Sequence, residues 1–331
     1  MNNIALLPNW FIAIYVVLFG LCIGSFLNVV ILRGLNGEDI VFERSKCPKC
    51  QNQLKWYMNI PLVSYLFLRG KCAFCKTKIS WQYPLVEFIT AMAFLASFFA
   101  FGLTLKTLFI CIFLSIFIAL SATDFIETVI IDYHAYILLG FGLLYSLLGL
   151  GNVSIMYSVI AAIAGFLIFE ILARIGLLIA NHRMFGEGDS LIALGLGAIF
   201  GFKNLLILIA LSILIQAICA VPILAKNAFA DKKSKLGLSY ILILVSMAIV
   251  FLINYFDMNY NGILYILTTI ILIALLFFSL KNILKEIQEK KNSDKEEKFC
   301  LLPFGPALIF AATLCIFYLP QIKKIILNFL F

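Results

Sequence analysis

Charge is what this sequence has least of. Asp, Glu, Lys and Arg make up 13% of its 331 residues, against roughly 25% in a soluble domain. Hydrophobic residues make up 63%, and the mean hydropathy is +1.07. Long apolar runs recur along nearly the whole chain and lack the polar faces that a soluble core protein needs. The pattern predicts an all-α polytopic membrane protein of about ten transmembrane helices. The first run has no basic segment before it and no small-residue cleavage site after it, so it reads as a span and not as a removable signal peptide. Histidine is scarce, with 2 residues in all, and His182 reads as a surface loop residue. No internal repeat is evident, and no dinucleotide-type or methyltransferase motif.

The expected spans cover residues 10–32, 83–103, 107–123, 133–150, 154–180, 190–202, 204–225, 238–256, 262–280 and 303–319. A net charge of +8 suggests nucleic acid only until the charges are placed. They sit in short loops, where a Lys/Arg excess sets membrane orientation. With segment 33–82 inside, twenty of the 25 basic residues fall on that side and only Lys106, Lys203, Lys323 and Lys324 fall outside. Membrane lipid is therefore the expected partner, and nucleic acid is not. The charged run 281–298 reads as a solvated helix.

Segment 33–82 carries Cys47-Pro-Lys-Cys50 and Cys72-Ala-Phe-Cys75. Two such pairs about twenty residues apart have the spacing of a zinc ribbon or treble-clef knuckle. Four thiolates leave no open position, so the metal would be structural, supplying stability that so small a core lacks. A redox dithiol or two disulfides are the alternatives, and a reducing cytoplasmic location argues against them. Cys22, Cys111, Cys219, Cys300 and Cys315 lie in or beside apolar runs and read as small hydrophobes.

Two carboxylates stand at the ends of spans. Asp124 closes the run 106–123, and Asp189 opens another within Gly186-Glu187-Gly188-Asp189. A carboxylate in a span costs about 2.5–3.5 kcal/mol on insertion scales and marks a functional site by default. The loop charges put both at the cytoplasmic face. Paired there, one acid keeps its proton while the other ionises, which is the requirement for activating water at a peptide carbonyl. Gly186 and Gly188 would let an extended substrate backbone approach. The bland reading is that both acids cap helices.

Other polar residues admit two readings. Glu87, in the first turn of its span, either satisfies the helix dipole or contacts the substrate or the acid pair. Gly24, Ser25 and Asn28 form a small polar stripe that serves helix packing or, through Asn28, a substrate groove. Glu127 and Asp132 could compete with Asp124 but read as surface acids. Glu170 and Arg174, spaced i,i+4, read as an ion pair.

The residues then resemble a family. GSFLNVVILR (24–33), CPKC, CAFC, NIPLVSYLFLRGKC (59–72), YPLVEFIT (83–90), the region of Asp124, GEGD (186–189) and PFGPAL (303–308) are similar, in this order, to the type IV prepilin leader peptidases, which also serve type II secretion pseudopilins. These are membrane aspartic peptidases of the Gly-x-Gly-Asp class. The resemblance implies catalytic Asp124 and Asp189, zinc on Cys47, Cys50, Cys72 and Cys75, and a supporting place for Asp132, where the family pattern keeps an acid. It implies a bacterial inner-membrane enzyme that cleaves prepilin or pseudopilin leaders after a glycine on the cytoplasmic side, next to the pilus or secretion machinery. Many members also methylate the new N-terminus with S-adenosylmethionine.

The sequence departs from the family at Ile126, at Glu127, at Ile131 in place of a proline, and at Ser190-Leu191 where Val-Lys is usual. Residues 238–280 look like an inserted pair of spans. The expected layout is a first span in 1–32, a zinc domain in 33–82, a catalytic core in 83–225, the insertion with its loops in 226–300, and a final span in 301–331. Two other function classes fit more poorly. A proton or cation transporter would need acids at mid-span, and a non-catalytic assembly platform would need no acid pair.

Overall fold

The computed structural model describes residues 8–40, 44–151, 153–180, 183, 185–230 and 303–330. His182, Cys300, the charged run 281–298 and the expected spans 238–256 and 262–280 lie outside the described residues. The chain forms α1 (Asn9–Asn36), a 3₁₀ turn (Trp56–Asn59), α2 (Val63–Phe67), α3 (Gln82–Phe101), α4 (Leu105–Glu127), α5 (Asp132–Leu147), α6 (Ile155–Ala180), α7 (Glu187–Ala230) and α8 (Gly305–Leu330). Among the described residues there are no strands, only the isolated bridges Lys46↔Gln53 and Lys71↔Lys78. The all-helical expectation is met. Among the described residues, six helices are long and apolar enough to cross a membrane: α1, α3, α4, and parts of α6, α7 and α8.

Helix boundaries follow local chemistry. Thr104 caps α4 by accepting the Thr107 N–H at 3.2 Å. Gly37, at φ +67°, closes α1 in the left-handed conformation. Pro306 sits in the first turn of α8, where its missing N–H costs nothing. Pro320 falls inside α8 and cannot continue the ladder, and the backbone breaks at Tyr318.

The expected spans 190–202 and 204–225 are two helices that meet at Gly201, two residues before the expected boundary, where φ of 72° and ψ of 166° are angles only glycine adopts readily. The apolar part of α7, Glu187–Pro222, is 36 residues long. Unbroken, that would rise about 54 Å, nearly twice the roughly 30 Å of hydrocarbon. A second difference concerns α4, which runs on to Glu127 before Thr128 caps it at φ 54°. Asp124 thus lies in the last turn of a helix and not at its final residue. A third is that α5 has 16 residues, about 24 Å, so it is shorter than the span expected at 133–150.

The chain divides into two compact units, 1–168 with 187–205, and 169–186 with 206–331. In the first, α1 crosses α3 at Gly20 and Gly24. A β-carbon at these positions would come within 2.7 Å of Ala91 Cα and 2.6 Å of Glu87 Cα. Glycines four residues apart let two helix backbones touch, which is how helices associate where water supplies no hydrophobic drive. Leu27, Ile31, Val86 and Ala119 bury the seam where α4 joins them. Phe109 and Phe113 of α4 stack against Tyr145 of α5 with centroids 5.7 and 5.5 Å apart. α6 lies on α7 through Gly165 against the Ala193 carbonyl and Gly197 against the Ala161 carbonyl, and Ser158 Oγ donates to the Ala198 carbonyl. In the second unit the rings of Phe169, Phe185 and Phe304 pack together. Leu308, Ala311, Ala312 and Cys315 form the buried stripe of α8.

Candidate active site and metal centre

Segment 44–82 is built on one motif used twice. Cys47 N–H donates to Asn52 O at 3.0 Å, Gln51 N–H to Cys47 O at 2.9 Å, and Leu54 N–H to Ser45 O at 2.8 Å. The same three bonds recur 25 residues later: Cys72 to Thr77 O, Lys76 to Cys72 O, and Ile79 to Gly70 O, at 2.8, 3.1 and 2.8 Å. Gln51 and Lys76 both take left-handed φ, 56° and 59°, and the two β-bridges are in the same register. The chain does contain a short repeat, in which Arg44, Lys46, Cys47 and Cys50 recur as Arg69, Lys71, Cys72 and Cys75 and the backbone bonds keep the same register.

The two knuckles bring four sulfurs together. The Sγ atoms of Cys47, Cys50, Cys72 and Cys75 all lie within 4.8 Å of one another. Cys47 Sγ and Cys75 Sγ are 3.8 Å apart, close to the about 3.8 Å that two thiolates subtend across a tetrahedral zinc. Backbone donors favour the thiolate form. The Cys50 N–H, with that of Lys49, holds Cys47 below the ordinary thiol range. The Thr77 hydroxyl, 3.3 Å from Cys75 Sγ, together with the Thr77 N–H, lowers Cys75 to about 6. Cys50 receives the Asn52 N–H, yet loss of water and thiol hydrogen bonds from its three neighbours raise it to about 11. Ligation of a divalent cation would require Cys50 to lose its proton as well. No described cysteine is in a disulfide.

A cleft of about 810 Å³ lies between the knuckles, the second half of α1 and the start of α3, lined by Asn28, Arg33, Cys47, Cys72, Tyr83 and Glu87 among others. Asn28 Nδ2 donates to Tyr83 O at 3.0 Å and to Gly24 O at 3.3 Å, so it joins α1 to α3 while facing the cleft. Glu87 Oε2 accepts the Leu62 N–H at 2.7 Å. Leu62 has φ 58°, an uncommon conformation for a bulky residue. The carboxylate therefore clamps the loop before α2 to α3. Arg33 Nη1 and Nη2 donate to Asp39 O and Arg44 O at 2.8 and 3.2 Å, fixing the exit from α1.

Asp124 and Asp189 do not line this cleft. Both are buried, at 5% and 6% exposure. Their relative placement follows from three contacts: Gly188 lies on Ile130, Gly195 on Leu138, and Gly142 on Ala198 and Ile199. The contacts advance together along both chains, so α5 and α7 run parallel. Residues 128–131 join the end of α4 to the start of α5, so the last turn of α4 and the first turn of α7 share one end of the bundle. That end holds both carboxylates. Glu127 and Asp132 are there too but exposed. Gly186 is exposed and falls in the second unit.

In that second unit Glu170 pairs with Arg174 at 3.0 Å as expected, and its other oxygen takes Arg183 at 2.8 Å. Sequence reasoning missed His134, which is 4% exposed with neither ring nitrogen hydrogen-bonded. It also missed the anchor at Leu62. A histidine inside an apolar run was the available signal for the first. No local signal marks the second, because its partner lies 25 residues away.

The geometry can be set beside known proteins. Residues 18–101 match the bacterial peptidase A24 N-terminal domain, and residues 111–221 match the type IV leader peptidase family. Proteins named prepilin leader peptidase/N-methyltransferase are similar along much of the chain. That of Myxococcus xanthus is 32% identical over 206 residues, 60% of either chain. That of Aeromonas hydrophila is 33% identical over 253 residues, 69% of this chain and 87% of its own. The Neisseria gonorrhoeae protein is 34% identical over 245 residues, 67% and 85%. No solved structure matches.

Proposed function

The chain belongs to the type IV leader peptidase family, and on that footing we propose that it is a membrane aspartic endopeptidase acting through Asp124 and Asp189. The observation that carries this reading is the burial of both carboxylates at one end of the α4–α5–α7 bundle. Two acids in such a place hold one proton between them. The ionised acid takes a proton from water, and the resulting hydroxide adds to the scissile carbonyl carbon. The neutral acid donates to the carbonyl oxygen. Collapse of the gem-diol then sends a proton to the departing amine, and no covalent intermediate forms. Gly188 gives its side-chain space to Ile130, so the turn that carries Asp189 packs on the link after Asp124, and the exposed Gly186 precedes it.

The substrates are prepilins or pseudopilins, cleaved after their leader at the cytoplasmic face, beside the pilus or type II secretion machinery. The excess of basic residues in loops 33–82 and 226–235 supports that orientation. Six apolar helices among the described residues, α5, and the apolar runs 238–280 support about ten spans in an inner membrane. Zinc would be held by Cys47, Cys50, Cys72 and Cys75 and would fix the fold of segment 33–82. The relatives' names carry a second activity, so methylation of the new N-terminal amine by S-adenosylmethionine belongs to the proposal. Asn28 and Glu87 serve the knuckle cleft, through the Tyr83 carbonyl and the Leu62 N–H, and Asp132 stands exposed at the end that holds both acids. The test is incubation of the purified protein with a prepilin, with and without S-adenosylmethionine, followed by product mass. Leader loss, and a further methyl mass with the cosubstrate, are expected. An intact prepilin would overturn the reading.

A further inference from the structure

The zinc-knuckle segment exposes far more apolar surface than a small soluble domain tolerates. The 3₁₀ turn and α2 touch each other and present Trp56, Leu66 and Phe67 at 80%, 72% and 84% exposure. Exposed patches of this kind mark a surface with a partner. Two observations identify the partner's chemistry. From residue 44 to residue 86 the chain has eight Lys or Arg and no Asp or Glu, so even a zinc tetrathiolate, which subtracts two charges, leaves the segment strongly positive. The patch is also joined to a membrane span. Trp81 immediately precedes α3, and its ring lies 5.6 Å from that of Tyr65 in α2. The outer face of α3 continues from it with exposed Leu85 and Phe88.

We propose that this face of the knuckle segment lies on the bilayer, with Trp56, Leu66 and Phe67 at the headgroup–acyl boundary and its basic residues among anionic lipid phosphates. Tryptophan and tyrosine favour that depth because their rings are apolar at one end and polar at the other. A basic segment gains affinity from anionic headgroups within a Debye length. An acidic protein face would satisfy the charge but not the continuity with α3. The Glu87–Leu62 bond then acts as the tether that holds α2 at the level of the first turns of α3. The inference concerns placement at the membrane and does not depend on which acids cleave substrate.

The chain has 3 tryptophans, so Trp56 can be isolated in the Trp10→Phe, Trp81→Phe protein. This is reconstituted in nanodiscs of phosphatidylcholine with or without phosphatidylglycerol, the acyl chains brominated or plain. Bromolipid should remove most Trp56 emission, more so with phosphatidylglycerol, and aqueous iodide should remove little. Adding Leu66→Glu and Phe67→Glu should reverse both results. Hydrogen exchange of the unmodified protein gives a second reading, with protection of residues 56–67 greater in anionic than in neutral nanodiscs. Trp56 that stays open to iodide and untouched by bromolipid in every composition, or exchange at 56–67 indifferent to lipid charge, overturns the proposal in favour of a protein partner.

Discussion

Gly188 lies against Ile130 so closely that a β-carbon at position 188 would run into the Ile130 side chain. This contact joins the link that follows Asp124 to the turn that carries Asp189. Gly188→Ala should push the first turn of α7 away and lower leader cleavage by about 10²-fold, the cost of a misplacement of about 1 Å in a reacting constellation. Adding Ile130→Ala should restore part of the loss. Cleavage rates of the single and double variants in one detergent check this, and an undisturbed Gly188→Ala enzyme would separate the contact from catalysis.

Glu87 reads as an anchor for segment 59–72. Its carboxylate holds the Leu62 N–H, and removing the acceptor leaves that donor unsatisfied at a cost of about 1–3 kcal/mol. Glu87→Ala should lower the melting temperature and open residues 60–70 to limited proteolysis. Glu87→Gln keeps an acceptor oxygen and should behave nearly as the parent in both assays. If Gln were as damaging as Ala to cleavage while stability held, Glu87 would be contacting substrate through its charge.

The four cysteines should bind one zinc per chain, measured by metal analysis of the purified protein. Metal ligation requires thiolates. Cys75, lowered to about 6 by the Thr77 hydroxyl and N–H, is already a thiolate near neutrality. Its folded value lies below the unfolded thiol value of 9.0. The stability it contributes is therefore present above that unfolded value and lost as pH falls through about 6. Metal retention should show the same sense, complete at neutral pH and falling below about 6. Thr77→Val should move that loss upward in pH. A zinc content indifferent to Cys75→Ser would contradict the assignment.

Gly24 meets the Glu87 backbone and not a movable side chain. Gly24→Val should separate α1 from α3 and destabilise the protein by about 1–3 kcal/mol, the usual cost of overpacking. The melting temperature in detergent measures this. The same substitution at Gly140, which has open space beyond it, should be far milder.

The spans were legible because lipid demands long apolar helices, and the four-cysteine cluster because Cys-x-x-Cys pairs have few other uses. Asp124 and Asp189 stood out because charge is rare in such a chain, and both are buried. What the sequence concealed was relational. The knuckle repeat shares Arg44 with Arg69, Lys46 with Lys71 and its cysteines, while its identity lies in left-handed torsions at Gln51 and Lys76 and in six backbone hydrogen bonds. Glu87 admitted a dipole role or a substrate contact, and its bond to Leu62 went unseen because that partner is distant in the chain. The break at Gly201 was displaced to Lys203 because a charge is a more visible boundary than a torsion angle.

Leader cleavage by the Asp124→Asn and Asp189→Asn proteins, each purified from membranes in folded form with its zinc, tests the shared-proton pair most directly. The account predicts that each single variant leaves the prepilin at full mass. Processing at the parental rate by either one would contradict it.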